Sequence, residues 1–345
     1  LNKHGGYFGD NDYKVIDFSV NINPLGVPGS LIDELQNSLR DLVRYPEIDG
    51  DTGKEVIASK IGVKKDNIVV GNGATELIYL FSKTFLPKKT LIVQPTFTEY
   101  SRALKLNGSE VYSFDTDEKQ SFEINIDKLV AAIDNINPNL VVMCNPNNPT
   151  GVFTHKEDIK PVLDKIKAAG GYLFVDESFI DFTNEENYIS FVKGYPIFLL
   201  RSMTKTYGIP GLRLGYGIGN KDIISEMNKK KEPWTINSLA LKAIPILLED
   251  QEYIHETFQW YNKEKEFLKN ELDKIDYIKT YKSYGNFFLC RLLNENADSI
   301  KDYLLDKGIY IRTCEDFLGL DSSYIRLAIR ERDENSLLIK YLKNK

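Results

Sequence analysis

Five short apolar runs recur between residues 68 and 200: Ile68-Val69-Val70, Leu91-Ile92-Val93, Leu140-Val141-Val142-Met143, Tyr172-Leu173-Phe174-Val175 and Ile197-Phe198-Leu199-Leu200. They are rich in β-branched and aromatic residues and do not alternate with polar ones. That is the pattern of strands buried on both faces. Amphipathic stretches such as 76–84 and 156–168 separate them with apolar positions at helical spacing. Alternating β and α units over about 52–235 predict a largely parallel sheet covered by helices.

The pattern changes after Trp234. Residues 236–274 read as long helices. Phe287-Phe288-Leu289, Tyr310-Ile311-Arg312 and Tyr324-Ile325-Arg326-Leu327 read as strands around a helix near 297–306. This predicts a smaller α+β unit. The first forty residues are loop-rich (Asn21-Ile22-Asn23-Pro24-Leu25-Gly26) and are expected to pack on it. The expected division is therefore a large domain at 44–235, with 1–43 and 236–345 forming a small domain and its N-terminal arm. A chain of 345 residues is long for a single core, which agrees with two units.

Composition narrows the function more than the fold. A net charge of −6, with both signs scattered, argues against nucleic-acid binding. Its one compact basic run, Lys229-Lys230-Lys231, reads as a solvated helix end. Cys144, Cys290 and Cys314 are far apart and odd in number, so neither a disulfide scaffold nor a zinc site is expected, and a reducing cytoplasm suits them. His4, His155 and His255 form no metal-spaced pair. No apolar run approaches the length of a membrane span, and no signal peptide is read at the start.

The candidate chemistry lies at the ends of the predicted strands. Gly71-Asn72-Gly73-Ala74-Thr75-Glu76 follows a strand and opens a helix, where free amides suit an anion. By itself it could equally be a dinucleotide loop or a simple turn. Phe97, in Pro95-Thr96-Phe97-Thr98-Glu99-Tyr100, could stack on a flat ring or belong to the core. Asn145-Pro146-Asn147-Asn148-Pro149-Thr150-Gly151 is turn chemistry at the strand edge where open α/β sheets bind ligands. Asp176 ends a buried run, where a carboxylate needs a partner: a cap, an ion pair or a protonated ring nitrogen. Finally, Ser202-Met203-Thr204-Lys205-Thr206-Tyr207-Gly208-Ile209-Pro210-Gly211-Leu212-Arg213 sets one amine among hydroxyls, glycines and an arginine. An amine that forms a Schiff base with a phosphorylated aldehyde cofactor needs that company.

In this order the motifs resemble those of fold-type-I pyridoxal-phosphate (PLP) enzymes, over nearly the whole chain, and specifically the histidinol-phosphate aminotransferase group. Within that group the chain looks most like the threonine-phosphate decarboxylases of cobalamin side-chain synthesis. The narrower likeness rests on His4-Gly5-Gly6, Asp17-Phe18-Ser19-Val20-Asn21-Ile22-Asn23-Pro24-Leu25-Gly26, the Pro95–Tyr100 run, Ile311-Arg312-Thr313-Cys314 and Ile325-Arg326-Leu327-Ala328-Ile329-Arg330. The resemblance implies an α/β fold with a mostly parallel sheet between helices and a smaller α+β domain. It implies pyridoxal 5′-phosphate as cofactor, joined to Lys205. Ser202, Thr204, Arg213 and the turn Gly73-Ala74-Thr75 would hold the phosphate; Phe97 would stack on the ring, Asn148 would contact its 3-oxygen and Asp176 its nitrogen. Tyr45 would reach the phosphate of a neighbouring subunit, so a homodimer is expected. Arg326 would grip the substrate carboxylate and Arg312 its carboxylate or phosphate, with Asn23 and His4 at the far end of the substrate.

Aminotransferases of this group carry a tyrosine three residues after the aspartate; here that position is Phe179. The expected reaction is decarboxylation of O-phospho-L-threonine or a close relative, and the alternative is transamination of histidinol phosphate or an aromatic amino acid. Other classes lack their signatures. Ser202-Met203-Thr204-Lys205 also fits the S-x-x-K of β-lactamases, but S-D-N and K-T-G are absent. A nicotinamide oxidoreductase would want a third glycine where Glu76 stands. A sensor of the same fold would bring a DNA-binding domain, and no segment reads as one.

Overall fold

The computed structural model describes residues 4–9 and 15–345; residues 1–3 and 10–14 of the expected N-terminal arm lie outside them. The five apolar runs become Ile68–Asn72, Lys89–Gln94, Leu140–Cys144, Tyr172–Asp176 and Ile197–Ser202. With Glu110–Asp115 and Leu214–Gly219 they form one seven-stranded sheet. Its spatial order is Ile68–Asn72, Leu214–Gly219, Ile197–Ser202, Tyr172–Asp176, Leu140–Cys144, Lys89–Gln94, Glu110–Asp115. All neighbours are parallel except Leu214–Gly219, which runs antiparallel to both of its partners.

The absence of alternation in these runs has a direct cause. Val141, Met143, Leu173 and Val175 face one apolar core, shared with helices Ile126–Ile136 and Lys156–Ala168. Leu140, Val142, Phe174 and Phe198 face a second core beneath helices Gly73–Phe85, Glu99–Leu106 and Lys221–Lys230. Successive side chains point to opposite faces, and both faces are covered.

Two strands of this sheet are not among the apolar runs. Glu110–Asp115 is an edge strand with a half-exposed pattern. Leu214–Gly219 is glycine-rich, yet it is fully buried inside the sheet. A Cβ at Gly215 would lie 2.6 Å from the Ala74 nitrogen, and one at Gly217 would strike the Phe198 ring. Close approach, not flexibility, demands these glycines.

The smaller unit is a four-stranded antiparallel sheet ordered Arg312–Thr313, Tyr324–Ala328, Phe287–Leu292, Ile278–Thr280. Helices Gln251–Leu272, Ala297–Leu305 and Arg332–Lys343 pack on it around Phe287, Ile325, Leu327 and Leu338. Ile16–Asp17 pairs in parallel with Ile309–Tyr310, and Phe18 packs into this core. Helices Gly29–Ser38 and Ser238–Glu249 do not: Leu31, Ala240, Ile244 and Leu247 are buried in the core of the large unit. Away from the sheet edge, Glu118 ties the two units, accepting from Lys279 Nζ (2.8 Å), Tyr281 OH (2.6 Å) and Arg291 Nη1 (2.7 Å). These bonds hold its carboxyl down at about 2.

Candidate active site

A cavity of about 330 Å³ opens at the carboxyl ends of the central strands. Crossover connections there leave loops and helix N-termini free to carry function. Lys205, Asp176, Asn148, Phe97, Ala74, Thr75, Ser202, Thr204, Arg213, Arg312, Arg326 and His4 all contribute to its wall.

Period-two alternation selects which acid enters. Asp176 is the last residue of its strand and faces the cavity, whereas the side chain of Glu177 turns to Arg201, whose Nε donates to Glu177 Oε2 at 2.8 Å. Asp176 is 5% exposed. Its Oδ2 accepts from Tyr100 OH (2.6 Å) and its Oδ1 from the Ser178 amide (2.8 Å). Burial still raises its carboxyl above the ordinary range, against those two bonds and the nearby Lys205 charge. A cationic N–H at this oxygen pair would be stabilising.

Lys205 sits on the single turn Met203–Thr206, partly buried, and its amine has no hydrogen bond among the described residues. Burial first, then the Arg326 and Arg213 charges, lower it from 10.5 to about 8. An amine so lowered gives up its proton more readily and becomes a nucleophile near neutral pH. Burial pushes the neighbouring Cys144 thiol far up, so it stays an inert thiol.

The anion cradle is assembled from three segments. Gly73 opens the helix Gly73–Phe85 with φ 76°, and a Cβ there would run into the guanidinium of Arg213. Arg213 itself has φ 63°, a left-handed conformation uncommon outside glycine and typical of functional sites. Ser202 Oγ and Thr204 Oγ1 are 2.8 Å apart beneath it. Hydroxyls, helix amides and one guanidinium are the donors a phosphate takes, so this set fits the cofactor expected from the sequence.

On the opposite wall, Arg312 and Arg326 are directly paired residues of antiparallel strands and therefore share a face. Arg326 is 5% exposed; its Nη1 donates to Asn148 Oδ1 (2.5 Å) and its Nη2 to the Ser19 carbonyl (2.6 Å). Its Nε is buried and has no hydrogen-bond partner among the described residues. Holding Oδ1 of Asn148 in this way leaves that amide NH2 free to donate into the cavity. Arg312 pairs with Asp316 at 2.7 Å and lies over the Phe317 ring. At the mouth, His4 Nε2 lies 3.1 Å from Glu99 Oε1, with its ring 5.8 Å from that of Phe97.

Two candidates lie elsewhere. Asn23 is buried away from the cavity wall: its amide N–H donates to the Lys205 carbonyl (3.0 Å), and its Nδ2 donates to Thr206 O and Thr257 Oγ1 (both 2.8 Å). Its polar atoms are used in bracing the lysine turn and the Leu25 amide. Tyr45 is 85% exposed and does not line this cavity; its ring lies 5.3 Å from that of Trp234. Conversely, the sequence reading passed over Tyr100, Ser178, Ser19 and Asn21, all of which line the cavity. Tyr100, three residues after Phe97, carried a signal in its spacing; the others are placed by tertiary contacts.

The profile of the family described as aminotransferase class I and II matches residues 13–342. A Caldanaerobacter subterraneus protein provisionally named threonine-phosphate decarboxylase is 39% identical over 345 residues, covering 99% of this chain and 93% of its own length. A histidinol-phosphate aminotransferase of Methanosphaera stadtmanae is 31% identical over 345 residues, covering 97% and 92%. Among solved structures, the histidinol-phosphate aminotransferase of Clostridium acetobutylicum superposes with a TM-score of 0.89 at 35% identity, over 95% of this chain and 98% of that one.

Proposed function

The chain belongs to the class I and II aminotransferase family, and from that premise we propose that it uses pyridoxal 5′-phosphate, held through Lys205, to transform a small phosphorylated amine or amino acid. One observation carries the reading: Lys205 and Arg213 from one run, with Asp176 and Arg326 from two others, converge on a single cavity. Pyridoxal phosphate, when bound, supplies an electron sink for a bond broken at the substrate α-carbon. The chain's own residues do the rest. Asp176 keeps the ring nitrogen protonated, and Asn148 donates to the ring oxygen. Gly73, Ala74, Thr75, Ser202, Thr204 and Arg213 hold the phosphate, and Phe97 stacks on the ring. Lys205, with its lowered proton affinity, exchanges a proton with the substrate. Arg326 presents a fork to the carboxylate, Arg312 adds positive charge on the same face, and His4 borders the mouth.

Two readings divide this class. Transamination of histidinol phosphate has the wider backing among relatives: aminotransferases so named align along essentially the whole chain, and one shares its fold at a TM-score of 0.89. Loss of the carboxylate from O-phosphothreonine is supported by the 39% identical relative and by Phe179, whose ring sits buried at the cavity without a hydroxyl. The test is a pair of assays on the loaded protein. Carbon dioxide released from O-phosphothreonine supports decarboxylation; amino transfer from histidinol phosphate to an oxo acid, without carbon dioxide release in the first assay, supports transamination. Inactivity in both removes the proposal.

We further propose a homodimer. Leu39, Leu42, Val43, Tyr45, Ile48 and Trp234 form an exposed apolar group, with Val43 88% exposed. A surface of that kind is expected to be covered. Sedimentation should give twice the chain mass, and Val43→Asp should halve it. A monomeric parent protein with full activity would contradict both the dimer and a role for Tyr45 in a partner's site.

A further inference from the structure

Tyr100 joins the two groups assigned to opposite aspects of the cofactor ring, Asp176 and Phe97. It is 1% exposed, in the first turn of helix Glu99–Leu106. Its hydroxyl lies 2.6 Å from Asp176 Oδ2. Its ring meets that of Phe97 edge-on, at 5.6 Å and 81°. Phe174 backs it at 6.1 Å.

A buried hydroxyl needs some acceptor, and a bland reading would stop there. The geometry goes further. A terminal carboxylate torsion is broad, so one hydrogen bond leaves the plane free to rock. Asp176 has both oxygens anchored, Oδ1 by the Ser178 amide and Oδ2 by Tyr100. With both held, the carboxylate plane is set, and its remaining lone pairs face the cavity. Edge-on contact at the same time fixes the tilt of Phe97, the ring that would lie against the cofactor.

We infer that Tyr100 is a positioning residue, which orients the Asp176 carboxylate and the Phe97 ring together and thereby sets how strongly the cofactor nitrogen is held in its protonated form. This rests on the assignment of Asp176 to that nitrogen. Burial and the Asp176 charge raise the Tyr100 hydroxyl well above its ordinary range, so it remains a donor at every working pH. The other titratable groups facing Asp176 are Lys205 and Cys144; the first is partly buried across the cavity and the second is an inert buried thiol.

The decisive variant is Tyr100→Phe, which deletes the hydroxyl and keeps the ring against Phe97. Three quantities are read on protein loaded with pyridoxal phosphate: cofactor dissociation, the pH midpoint of the visible absorption band, and kcat against KM. Cofactor affinity should fall roughly tenfold, the value of one hydrogen bond to a charged group. The spectral midpoint should move upward, because a less firmly held ring proton makes the nitrogen of the cofactor–lysine bond more basic. The loss should appear in kcat, with KM nearly unchanged. Asp176→Asn is the reference, and should shift affinity and midpoint further in the same direction. If Asp176→Asn shifts both while Tyr100→Phe matches the parent, the inference about Tyr100 fails and the aspartate assignment stands. If neither variant shifts either quantity, the aspartate assignment fails and takes this one with it.

Discussion

Arg326 Nη1 donates to Asn148 Oδ1 at 2.5 Å, joining the sheet of the small unit to the loop that ends a central strand of the large one. One bond between residues 178 positions apart thus sets the proposed carboxylate-binding fork and the proposed ring-oxygen donor relative to each other. Arg326 also holds the Ser19 carbonyl, so the arm, the large unit and the small unit meet at one guanidinium.

Replacing Arg326 by Lys keeps the charge and removes the fork. Activity, read as kcat/KM, should drop about 10- to 100-fold, since hydrogen bonds to charged groups contribute about 1.5–3 kcal/mol. Melting should also show a loss of about 1–2 kcal/mol, because one ammonium cannot serve Asn148 and Ser19 together. Parent-like kinetics in Arg326→Lys would remove the arginine from substrate binding.

For Lys205 the prediction concerns pH as well as turnover. Lys205→Met should abolish turnover and leave no site for borohydride-trapped cofactor. Without cofactor, the same variant should be more stable than the parent at pH 7. The lysine is lowered from 10.5 to about 8 in the fold, so the unfolded chain binds the proton more tightly. Its penalty is complete below about 8 and fades as pH rises to 10.5, with an upper limit of about 3 kcal/mol. Denaturation of cofactor-free protein at pH 7 and pH 10 tests this; a variant no more stable at pH 7 contradicts it.

Gly73→Ala should damage the anion cradle from within. A methyl group at φ 76° is strained in itself and displaces the Arg213 guanidinium. The cost should be about 1–3 kcal/mol in stability, with weaker binding of inorganic phosphate measured by calorimetry. Unaltered phosphate affinity would place the anion site elsewhere.

Phe179→Tyr tests the departure from the aminotransferase pattern. The Phe179 ring is 4% exposed and packs edge-on against Phe287 at 5.1 Å. A hydroxyl pointing into the cavity should donate to the cofactor's ring oxygen and lower the spectral midpoint by about one pH unit, the value of one such bond. A midpoint that stays put shows that the hydroxyl does not reach the ring.

Much of this site could be read along the chain because its parts are local. Gly73-Ala74-Thr75, Asn148, Asp176 and the Ser202–Arg213 run each sit where a strand ends, and strand ends follow from the apolar runs themselves. Even the choice between Asp176 and Glu177 obeys strand alternation. Other assignments needed distant partners. Asn23 looks like a polar loop residue, and only the arrival of Thr206 and Thr257 turns it into an internal brace. The glycines of Leu214–Gly219 find their reason only in Ala74 and Phe198, which occupy the space of two missing side chains. The helix Gly29–Ser38 lies in the core of the large unit because Leu31 finds its apolar neighbours there, not next to it in sequence. Periodicity and turn chemistry act over a few residues and are written in order along the chain. Contacts such as Arg326 with Asn148 or Tyr100 with Asp176 depend on which surfaces close over one another, and that choice belongs to the packing of the whole molecule.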